Sequence, residues 1–517
     1  MLYKFNQLIK SLTKKELTAL LISAAVFAVS VSIWSVYLFI TKTTESPAIG
    51  GSWREGIVGQ PVFINPVVSG NDADQDISRL IFASLNDLSK SIKPDNSGRV
   101  WTIRLKEGLK WHDGQKITSD DIVFTFDTIT NPQAHSPLAP GFDGSIVTRI
   151  SELETKFELP SAYVFFDTTL KNLRPIPKHI FGNIPPANFY LSSFVREPIG
   201  SGAYRYKSYK KQKDGFVSEY TLETNRFYSG EKPYIKSFVF RFYRDEASII
   251  KAYNRGEIDG FATFNPSIIE KITVRKDIKT ISAPRYYAVF WNPALNAVFK
   301  DKSVRQALSS VISRDEIVGK VFSGLAEPAY GPTPESKLEK KESPPVIERI
   351  SFDLTVPDIK PLIEMAEIIR SDWEKLGVSV SITPMRSADV QEEIKNRSYE
   401  ALLFGNILNE PQDLYSFWHS SKRFYPGLNL AMFNNRDLDS LLDDARTELD
   451  PEKRAELVQS AAKIIADESA AAFVIFPKYV YITSPRIKGF NTASGTVISD
   501  RLNDVAGWYL ATVRKFR

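Results

Sequence analysis

One stretch near the start of the chain, 17–40, has no charged residue over 24 positions and reads LTALLISAAVFAVSVSIWSVYLFI. As an α-helix it would be about 36 Å long, enough to cross the roughly 30 Å hydrocarbon core of a bilayer. A cleaved signal peptide has a shorter apolar core that ends in small residues, whereas bulky Tyr37 and Ile40 stand at the end here. Trp34 and Tyr37 suit the membrane–water interface. The sequence therefore predicts an uncleaved transmembrane anchor at 17–40.

Positive charge before this segment predicts its orientation. Four lysines and one glutamate lie among residues 1–16, and excess positive charge marks the cytoplasmic side of a membrane helix. We therefore expect residues 1–16 in the cytoplasm and the main body outside it, as a single-pass protein of the cell membrane. Residues 41–51, TKTTESPAIGG, are polar and contain proline and glycine, and we interpret them as a linker.

The composition excludes several classes of function. The 517 residues include no cysteine, which rules out thiol catalysis, disulfides, iron–sulfur clusters and lipid attachment through an N-terminal cysteine. If the chain has an anchor, it is therefore 17–40 itself. The net charge is only +5, and no dense lysine–arginine stripe interleaved with aromatics predicts nucleic-acid binding. With 43% hydrophobic residues the chain can bury large cores.

Strand-like and helix-like segments alternate through the body, which favours an α/β fold. Thr118 can cap a helix, and Asp121 three residues later completes a capping-box arrangement. Apolar residues at helical spacing predict one long amphipathic helix over 304–321. The apolar run at 472–482 predicts a final buried pair of strands.

We find no motif for a metal ion, a nucleotide or a nucleophilic serine. The four histidines form no HExxH motif and no pair four residues apart, so neither a metal site nor a cofactor is expected. The glycines of Gly200-Ser201-Gly202 do not continue into a phosphate loop, and we interpret them as a structural turn. No G-x-S-x-G elbow is present. We expect no enzymatic activity.

Two groups of aspartates also receive structural interpretations. The run at Asp72, Asp74 and Asp76 lacks the glycine and the glutamate that a calcium loop needs at its sixth and twelfth positions. It is interpreted as the capped start of a helix. Carboxylate pairs such as Asp120-Asp121 lie on amphipathic helices and are interpreted as solvated faces.

Five segments of the body, in this order, resemble the extracellular solute-binding proteins of the oligopeptide, dipeptide and nickel class, sometimes called family 5. The clearest match has an aromatic strand, then (R/K)-x-G-(V/L)-K-(F/W)-x-D-G, then an N-cap and a D-(V/I)-x-F helix. The five segments are WTIRLKEGLKWHDGQKITSDDIVFTFDTI at 101–129, PIGSGAYRYKSY at 198–209, FWNPALNAVFKDKSVRQALSSVISRDEIV at 290–318, AEIIRSDWEKLGVSVSI at 366–382 and NLAMFNNRDLDSLLDDAR at 429–446.

The resemblance implies an α/β, two-lobed fold like that of periplasmic binding proteins, of type II and the large peptide-binding class. An extra domain is inserted in lobe I, two strands hinge the lobes, and here one transmembrane helix precedes the whole. The C-terminal tail returns to lobe I. The expected boundaries are 52–80, 180–280 and 488–517 for lobe I, 81–179 for the inserted subdomain and 281–487 for lobe II.

The resemblance also implies a function, the substrate-binding component of an ABC importer. Such a protein captures peptides or peptide-like solutes between its lobes and delivers them to a permease with ATPase subunits. We expect a monomer that binds no nucleic acid. An alternative is an extracytoplasmic sensor or chaperone-like receptor with the same fold, and gene neighbourhood would distinguish the two. A third possibility, an extracellular hydrolase, has no candidate catalytic residue.

Candidate ligand-binding residues follow from the resemblance. In peptide-binding members the first strand runs along the ligand backbone, a form of β-augmentation, which places Gln60 and Val62 beside the ligand. The aromatic strand at 286–292 leads into lobe II, and its alternation points Tyr286, Ala288 and Phe290 to one face. We expect Tyr286 and Phe290 to line the cleft.

The segment 404–421, FGNILNEPQDLYSFWHSS, carries the remaining candidates. Peptide-binding members have an aromatic residue after the glycine and then an aspartate that pairs with the α-amine of the peptide. This chain has Asn406 at the aromatic position and Asn409 near the aspartate, and an uncharged Asn forfeits a charge-assisted hydrogen bond. Glu410 or Asp413 could substitute for the aspartate, and Trp418 is expected to line the pocket. Blocked peptides, glycans, metal chelates and other solutes stay open as ligands.

Overall fold

The fold is described from a computed structural model that covers residues 12–68, 70–336, 350–408, 410, 412–491, 494–495 and 497–516. Most of the segment expected in the cytoplasm, residues 1–11, lies outside these described residues. The strands and helices below are numbered in chain order within the described part.

The strands are β1 (Thr43–Ala48), β2 (Ser52–Val58), β3 (Ser89–Pro94), β4 (Val100–Leu105), β5 (Ile146–Ser151), β6 (Glu154–Glu158), β7 (Tyr204–Lys211), β8 (Val217–Thr224), β9 (Ser237–Tyr243), β10 (Gly260–Thr263), β11 (Asp277–Ser282), β12 (Arg285–Trp291), β13 (Ala326–Pro328), β14 (Ser351–Pro357), β15 (Ser379–Met385), β16 (Ala401–Ile407), β17 (Ala471–Thr483) and β18 (Ala511–Phe516).

The α-helices are α1 (Lys14–Lys42), α2 (Asp72–Ile81), α3 (Leu85–Leu88), α4 (Ser119–Thr130), α5 (Phe166–Asn172), α6 (Lys178–Phe181), α7 (Glu246–Asn254), α8 (Lys302–Ser310), α9 (Arg314–Lys320), α10 (Lys360–Glu374), α11 (Ser387–Asn396), α12 (Tyr415–Trp418), α13 (Arg436–Thr447) and α14 (Pro451–Asp467). Short 3-10 turns occur at Pro132–Ala134, Ala139–Phe142, Pro186–Leu191, Ser193–Val195, Pro266–Lys271, Ala297–Lys300, Ser420–Lys422, Ile498–Leu502 and Val505–Gly507.

A single 12-stranded sheet runs through most of the body, in the order β15-β14-β16-β12-β17-β10-β2-β9-β8-β7, with β11 and β13 also paired to β17. Strand β17 is central because its two halves have different partners. Its first residues, Ala471–Ile475, pair with β12, and its last, Val480–Thr483, pair with β10 and β11. We use lobe I for the part of the sheet from β7 to β10 with β11 and the end of β17. Lobe II is the part from β15 to β12 with the start of β17.

The chain crosses between the two lobes at two places in this sheet. One crossing is the middle of β17, near Pro477. The other is the short turn between β11 and β12, where the Arg285 N–H donates to the Ala283 carbonyl at 2.7 Å. The Leu408 N–H, just after β16, donates to the Pro284 carbonyl at 2.7 Å. The predicted pair of strands at 472–482 is therefore wrong, because a single strand passes through Pro477 and serves both lobes.

Lobe II is covered by helices on both faces of its sheet. Strand β12 shows why, since its apolar residues alternate between two separate buried cores. Val289 and Trp291 pack in the core beneath α8, α9 and α10, whereas Tyr286 and Phe290 pack in the core beneath α11, α13 and α14. A strand buried on both faces has a near-continuous apolar sequence rather than a polar–apolar alternation.

The predicted long helix over 304–321 is instead two helices, α8 and α9. The break at 311–313 is stabilised by bonds that no local pattern reveals. The Ser313 N–H donates to the Asp372 carboxylate at 2.8 Å. The buried Arg314 guanidinium donates from Nε to the carbonyls of Ala329 and Phe473.

A separate antiparallel sheet, β3-β4-β6-β5, lies against lobe I. Helix α4 packs on it and begins at the predicted capping box, with Thr118 as the N-cap and Asp121 as its reciprocal partner. Asp121 is only 4% exposed and accepts the N–H groups of Thr118 and Lys178. The expectation of a solvated face is therefore wrong for Asp121. The expected capped start at the Asp72 run is confirmed, with Asn71 as the N-cap of α2.

The predicted anchor segment forms α1, and every residue of this helix is outside the protein core. It is long and apolar enough to cross a membrane. Strand β1 follows it directly and pairs antiparallel with β18, from Thr43 opposite Phe516 to Ala48 opposite Ala511. The Phe516 ring packs edge-on against Phe39 at 6.4 Å between centroids. We call this pair the clasp. Within the predicted linker 41–51, Thr43–Ala48 thus form a strand whose backbone groups bond to β18.

Two segments that carry the family resemblance, 101–129 and 198–209, meet the end of α2 in lobe I. The His112 N–H donates to the Gly200 carbonyl at 2.8 Å, and the Gly200 N–H donates back to His112 Nδ1 at 3.1 Å. The Gly202 N–H donates to the Ile81 carbonyl at 2.6 Å. The interpretation of this glycine pair as a structural turn is therefore consistent with its bonding.

Acid should weaken the fold through His112. Burial lowers the pKa of His112 from 6.5 to about 4, so between these values the unfolded chain binds a proton that the folded chain does not. Stability is then lost as the pH falls from 6.5 to 4, by about 3 kcal/mol in total. We expect urea unfolding at pH 7.5, 5.5 and 4.5 to show this loss relative to a His112→Asn variant. A difference between the two proteins that stays constant with pH would contradict it.

Candidate functional site

The candidate site lies where the two lobes meet. The start of β12 and the end of β16 lie side by side there, with Arg285 opposite Ile407 and Tyr286 opposite Asn406. The start of α2 and the loop before it approach from lobe I. This junction between the two lobes is where a ligand cleft between domains is expected.

Four of the predicted site residues come together, but within the core of lobe II. Asn406 donates from Nδ2 to the Tyr286 hydroxyl at 3.0 Å. The rings of Phe290 and Trp418 lie 6.3 Å apart between centroids. None of the four is more than 4% exposed, and burial raises the pKa of Tyr286. Their side chains therefore shape the wall behind the junction, and direct ligand contact by them stays a prediction.

Gln60 and Val62 lie in the lobe I loop between β2 and α2. The Gln60 side-chain oxygen accepts the Val217 N–H at 2.8 Å, and its carbonyl accepts from Asn71 Nδ2 at 2.8 Å. The Val62 N–H donates to Asp74 Oδ1 at 2.8 Å, while its side chain is 57% exposed. The loop is thus held in place by other residues of lobe I. The Val62 N–H is already hydrogen-bonded to Asp74 and is not free for a ligand. Asn409, the remaining predicted residue, lies outside the described residues.

The two carboxylates considered as partners for an α-amine have protein partners instead. Asp413 accepts from the Tyr163 hydroxyl at 2.8 Å, and Glu410 accepts from the Thr168 hydroxyl at 2.7 Å. Tyr163 and Thr168 follow the separate four-stranded sheet, whereas Glu410 and Asp413 belong to lobe II. Burial and the neighbouring Asp413 raise the pKa of Tyr163, so its hydroxyl stays a donor.

Arg446 completes this contact between the two parts of the body. Its guanidinium lies between the rings of Tyr163 and Tyr415, 4.3 and 4.4 Å from their centroids. Its Nε is 3.6 Å from Asp413 Oδ2, and its carbonyl accepts the Val164 N–H at 2.9 Å. We call Tyr163, Asp413, Tyr415 and Arg446 the latch, because these residues join the edge of lobe II to the region carrying the four-stranded sheet.

Two charged residues at the junction were missed by the sequence reasoning. Arg285 opens β12, and its guanidinium lies over the Phe264 ring at 5.2 Å from the centroid. Asp72 opens α2 on the lobe I side. The one available signal was a charged residue immediately before the aromatic run 286–291.

Comparison with known proteins agrees with this architecture. Residues 85–355 match the family described as bacterial extracellular solute-binding proteins, family 5 Middle. The chain is 26% identical over 510 residues to the oligopeptide-binding protein AppA of Bacillus subtilis, covering 87% of this chain and 90% of AppA. It is 22% identical over 448 residues to the dipeptide-binding protein of Escherichia coli, covering 78% of this chain and 83% of that protein.

Solved structures show the same relationship. The ABC transporter substrate-binding protein CtaP of Listeria monocytogenes superposes with a TM-score of 0.76 at 26% identity, over 89% of this chain and 99% of CtaP. AppA of B. subtilis in complex with a nonapeptide superposes with a TM-score of 0.69 at 25% identity, over 90% of this chain and all of that chain, 100%.

The two lobes, the double crossing between them and the junction define a protein that captures a solute by closing around it. The predicted two-lobed α/β fold and the predicted solute-binding role are both confirmed, and these relatives do not favour the alternative of a sensor. The chain belongs to family 5 of the bacterial extracellular solute-binding proteins.

Proposed function

We propose that this chain captures peptides or peptide-like solutes between its two lobes and delivers them to the permease of an ABC importer. The observation that carries the proposal is the pair of crossings within one sheet, which lets two lobes with separate cores move about a narrow connection. The resemblance to an oligopeptide-binding protein solved with a nonapeptide supports peptides as the ligand class.

We also propose that α1 is an uncleaved, single-pass anchor with its N-terminal end in the cytoplasm and the body outside. Support comes from its length, its lack of buried residues and the capping box at Thr13 and Glu16 that starts it. Lys14 and Lys15 stand at the proposed cytoplasmic end, and Trp34 and Tyr37 near the other. The clasp adds support, because it holds the end of this helix to the folded body.

The strand pairing suggests where the lobes divide. It supports one crossing at 283–284 and another at 476–478, so that the chain returns to lobe I about ten residues before the expected boundary at 487. Gln60 and Val62 remain proposed ligand contacts on the lobe I side. Tyr286, Phe290, Asn406 and Trp418 remain proposed contacts on the lobe II side, and Asn409 remains a proposed contact from the sequence alone.

The proposal is tested by measuring closure in the full chain, reconstituted in lipid nanodiscs. Because the chain has no cysteine, a Lys213→Cys, Lys395→Cys variant accepts a pair of fluorophores, one on each lobe, without further changes. We expect peptides of two to nine residues to raise energy transfer between the dyes. Native mass spectrometry of the same preparation should reveal co-purified peptide. No change in transfer and no bound peptide would refute the proposal.

Removal of the latch cation should favour the open form. Arg446→Gln loses contact with two aromatic rings and with Asp413, contacts that together amount to about 1.4 kcal/mol or more. We therefore expect peptide affinity to fall by about 10-fold and energy transfer without peptide to fall as well. Arg370→Gln, on the outer face of α10, serves as the control and should behave like the unmodified chain. Equal affinity in both variants would argue against a role for the latch in closure.

A further inference from the structure

The clasp is a sheet of only two strands. Among the described residues, β1 and β18 pair with each other and with no further strand. Just beyond β1 the Gly50 N–H donates to the Tyr234 carbonyl at 2.8 Å, which joins that end of the clasp to lobe I. At the other end, where Thr43 stands opposite Phe516, the neighbouring element is α1. A two-stranded sheet is marginally stable in water unless something covers it, so this end needs a further contact.

The end of the clasp beside α1 lies at the level where that helix would leave a bilayer. Phe39 is the second-last residue of the apolar segment 17–40, and its ring packs against Phe516. The Phe516 ring is 74% exposed, although a large apolar ring is costly to leave in water. If α1 spans a membrane as proposed, Phe516 lies at the boundary between headgroups and acyl chains, where interfacial segments bury their apolar side chains.

Arg514 lies on the same face of the clasp as Phe516, two residues away along β18. Its guanidinium is 5.8 Å from the centre of the Phe39 ring, and its Nη1 donates to the Thr43 hydroxyl at 3.4 Å. These two contacts hold the guanidinium at the level of Phe39. They involve one of its five N–H donors, so the group can still bind an anion.

The clasp carries positive charge that the described part of the protein does not neutralise. Glu45 stands opposite Arg514 in the ladder, but its carboxylate lies 3.6 Å from Lys488 Nζ instead. Lys42 and Lys515 are exposed. No carboxylate of a described residue lies within 4.0 Å of either lysine or of Arg514. Phosphate groups are the anions at this level of a bilayer, and guanidinium and ammonium groups both bind phosphate.

The backbone of the clasp limits how deep it can lie. Each strand has an outer edge of unpaired N–H and C=O groups, and hydrocarbon offers these groups no hydrogen-bond partner. The ladder therefore fits among hydrated headgroups and not among acyl chains. Arg514 and Lys515 leave β18 on opposite faces, so their side chains would reach phosphates on both sides of the ladder.

Building on the proposed anchor, we propose that the clasp is a docking surface for the outer face of the membrane, with anionic phospholipid as its partner. Arg514 and Lys515 bind phosphate groups, and Lys42 adds positive charge at the end of α1. The Phe516 ring inserts beside Phe39. This contact goes beyond anchoring by α1, because it also holds the C-terminal strand to the lipid surface.

The depth of the clasp is tested with the full chain in nanodiscs, since the chain has no native cysteine to interfere with labelling. Single fluorophores are placed at Val513→Cys in β18, at Ala28→Cys in α1 and at Lys213→Cys in the turn between β7 and β8. Lipids with a nitroxide headgroup should quench the dye at position 513 and leave the dye at position 213 unquenched. Lipids with a nitroxide in the acyl chain should quench the dye at position 28.

These labels separate two kinds of failure. Quenching at position 28 without quenching at position 513 would overturn the docking surface and leave the anchor in place. No quenching at position 28 would overturn the anchor and the docking surface together. Peptide capture, measured by energy transfer between the lobes, is independent of both outcomes.

The partner is tested by native mass spectrometry of the full chain released from nanodiscs of phosphatidylcholine and phosphatidylglycerol in equal parts. We expect the chain to retain phosphatidylglycerol in preference. Lys515→Gln should lower this preference by about 5-fold, and Arg514→Gln, Lys515→Gln by about 25-fold, as for loss of one and two cations near an anionic surface. The Lys515 side chain forms no hydrogen bond or ion pair with a described residue, so Lys515→Gln removes the charge without removing such a contact.

Two further variants keep this result interpretable. Arg514→Lys, Lys515→Arg keeps both charges and should keep the preference, even if glutamine at position 514 loosens the ladder. Lys360→Gln, Arg370→Gln removes two surface cations from α10 of lobe II and should change nothing. Equal retention of the two lipids by the unmodified chain, or an equal loss in the α10 variant, would overturn the docking surface. A dimer of the chain without bound phosphatidylglycerol would overturn it too, and would assign the clasp to self-association.

Discussion

Arg501→Met should lower the free energy of unfolding by about 3–5 kcal/mol, the largest single loss that we expect in this chain. Arg501 is 1% exposed and pairs with two carboxylates that are equally buried, Glu55 at 0% and Asp76 at 2%. Its Nη2 lies 2.8 Å from Glu55 Oε1, and its Nη1 and Nη2 each donate to one oxygen of Asp76. The substitution leaves two buried negative charges with no cation between them.

The remaining partners of Glu55 do not compensate for that loss. Trp53 Nε1 and the Tyr481 hydroxyl donate to Glu55 Oε2 at 2.8 and 2.7 Å, but both donors are neutral. Burial already raises the pKa of Glu55, and the charge of Arg501 works against that rise. Without Arg501 we expect Glu55 to take up a proton more readily, so the loss of stability should be smaller at low pH than at neutral pH.

Guanidinium-induced unfolding of the full chain in nanodiscs would measure the loss. Arg386→Met removes a fully exposed cation paired to Asp389 on the surface, and it should leave the unfolding midpoint unchanged. A combined Arg501→Met, Glu55→Gln, Asp76→Asn variant should recover part of the stability, because it removes the uncompensated charges. If Arg501→Met were as stable as Arg386→Met, the buried triad would not stabilise the fold as argued.

Gly200→Ala should cost about 3 kcal/mol, at the upper end of what overpacking normally causes. A Cβ at this position would lie 2.1 Å from the Ile81 carbonyl oxygen, which is backbone and cannot rotate away. Relief requires the turn at 200–202 to move off the end of α2. That movement would break the reciprocal bonds between Gly200 and His112, so the pH dependence expected from His112 should weaken in the same variant.

Gly319→Ala is the matched control, since it is the same chemical change in open space. Gly319 lies within α9, and a Cβ there would meet no atom within 4 Å. Alanine is the better helix former, so this variant should be more stable by up to about 1 kcal/mol. Thermal unfolding of the two variants should therefore shift in opposite directions. Shifts of the same sign would contradict the steric argument.

Much of the fold could be predicted because its signals are local. The capping box at Thr118, the capped start of α2 and the apolar segment that forms α1 are each encoded within a few neighbouring residues. The five segments that resemble family 5 extend this to the whole body. Where a prediction failed, a distant residue was responsible. Asp372, in another helix, accepts the Ser313 N–H in the break between α8 and α9, and the partners of β17 come from two lobes.

The candidate site was harder to predict for the same physical reason. Alternation correctly separates Tyr286 and Phe290 from their neighbours on β12, but it cannot tell which face meets solvent when helices cover both. The latch joins Tyr163 to Asp413 across 250 positions of sequence. Arg285 is conspicuous only once the fold brings the Phe264 ring beside it.

If α1 spans a membrane as proposed, the clasp between β1 and β18 has a consequence for how the body meets other membrane components. A flexible linker would let the body rotate freely, so that its cleft could point in any direction. A paired ladder of six residues at the end of α1 instead couples the body to the tilt and rotation of that helix. The body would then meet a partner in the same bilayer by lateral diffusion and by rotation about the membrane normal. Under that proposal, the ladder also limits how far the body can move from the lipid surface.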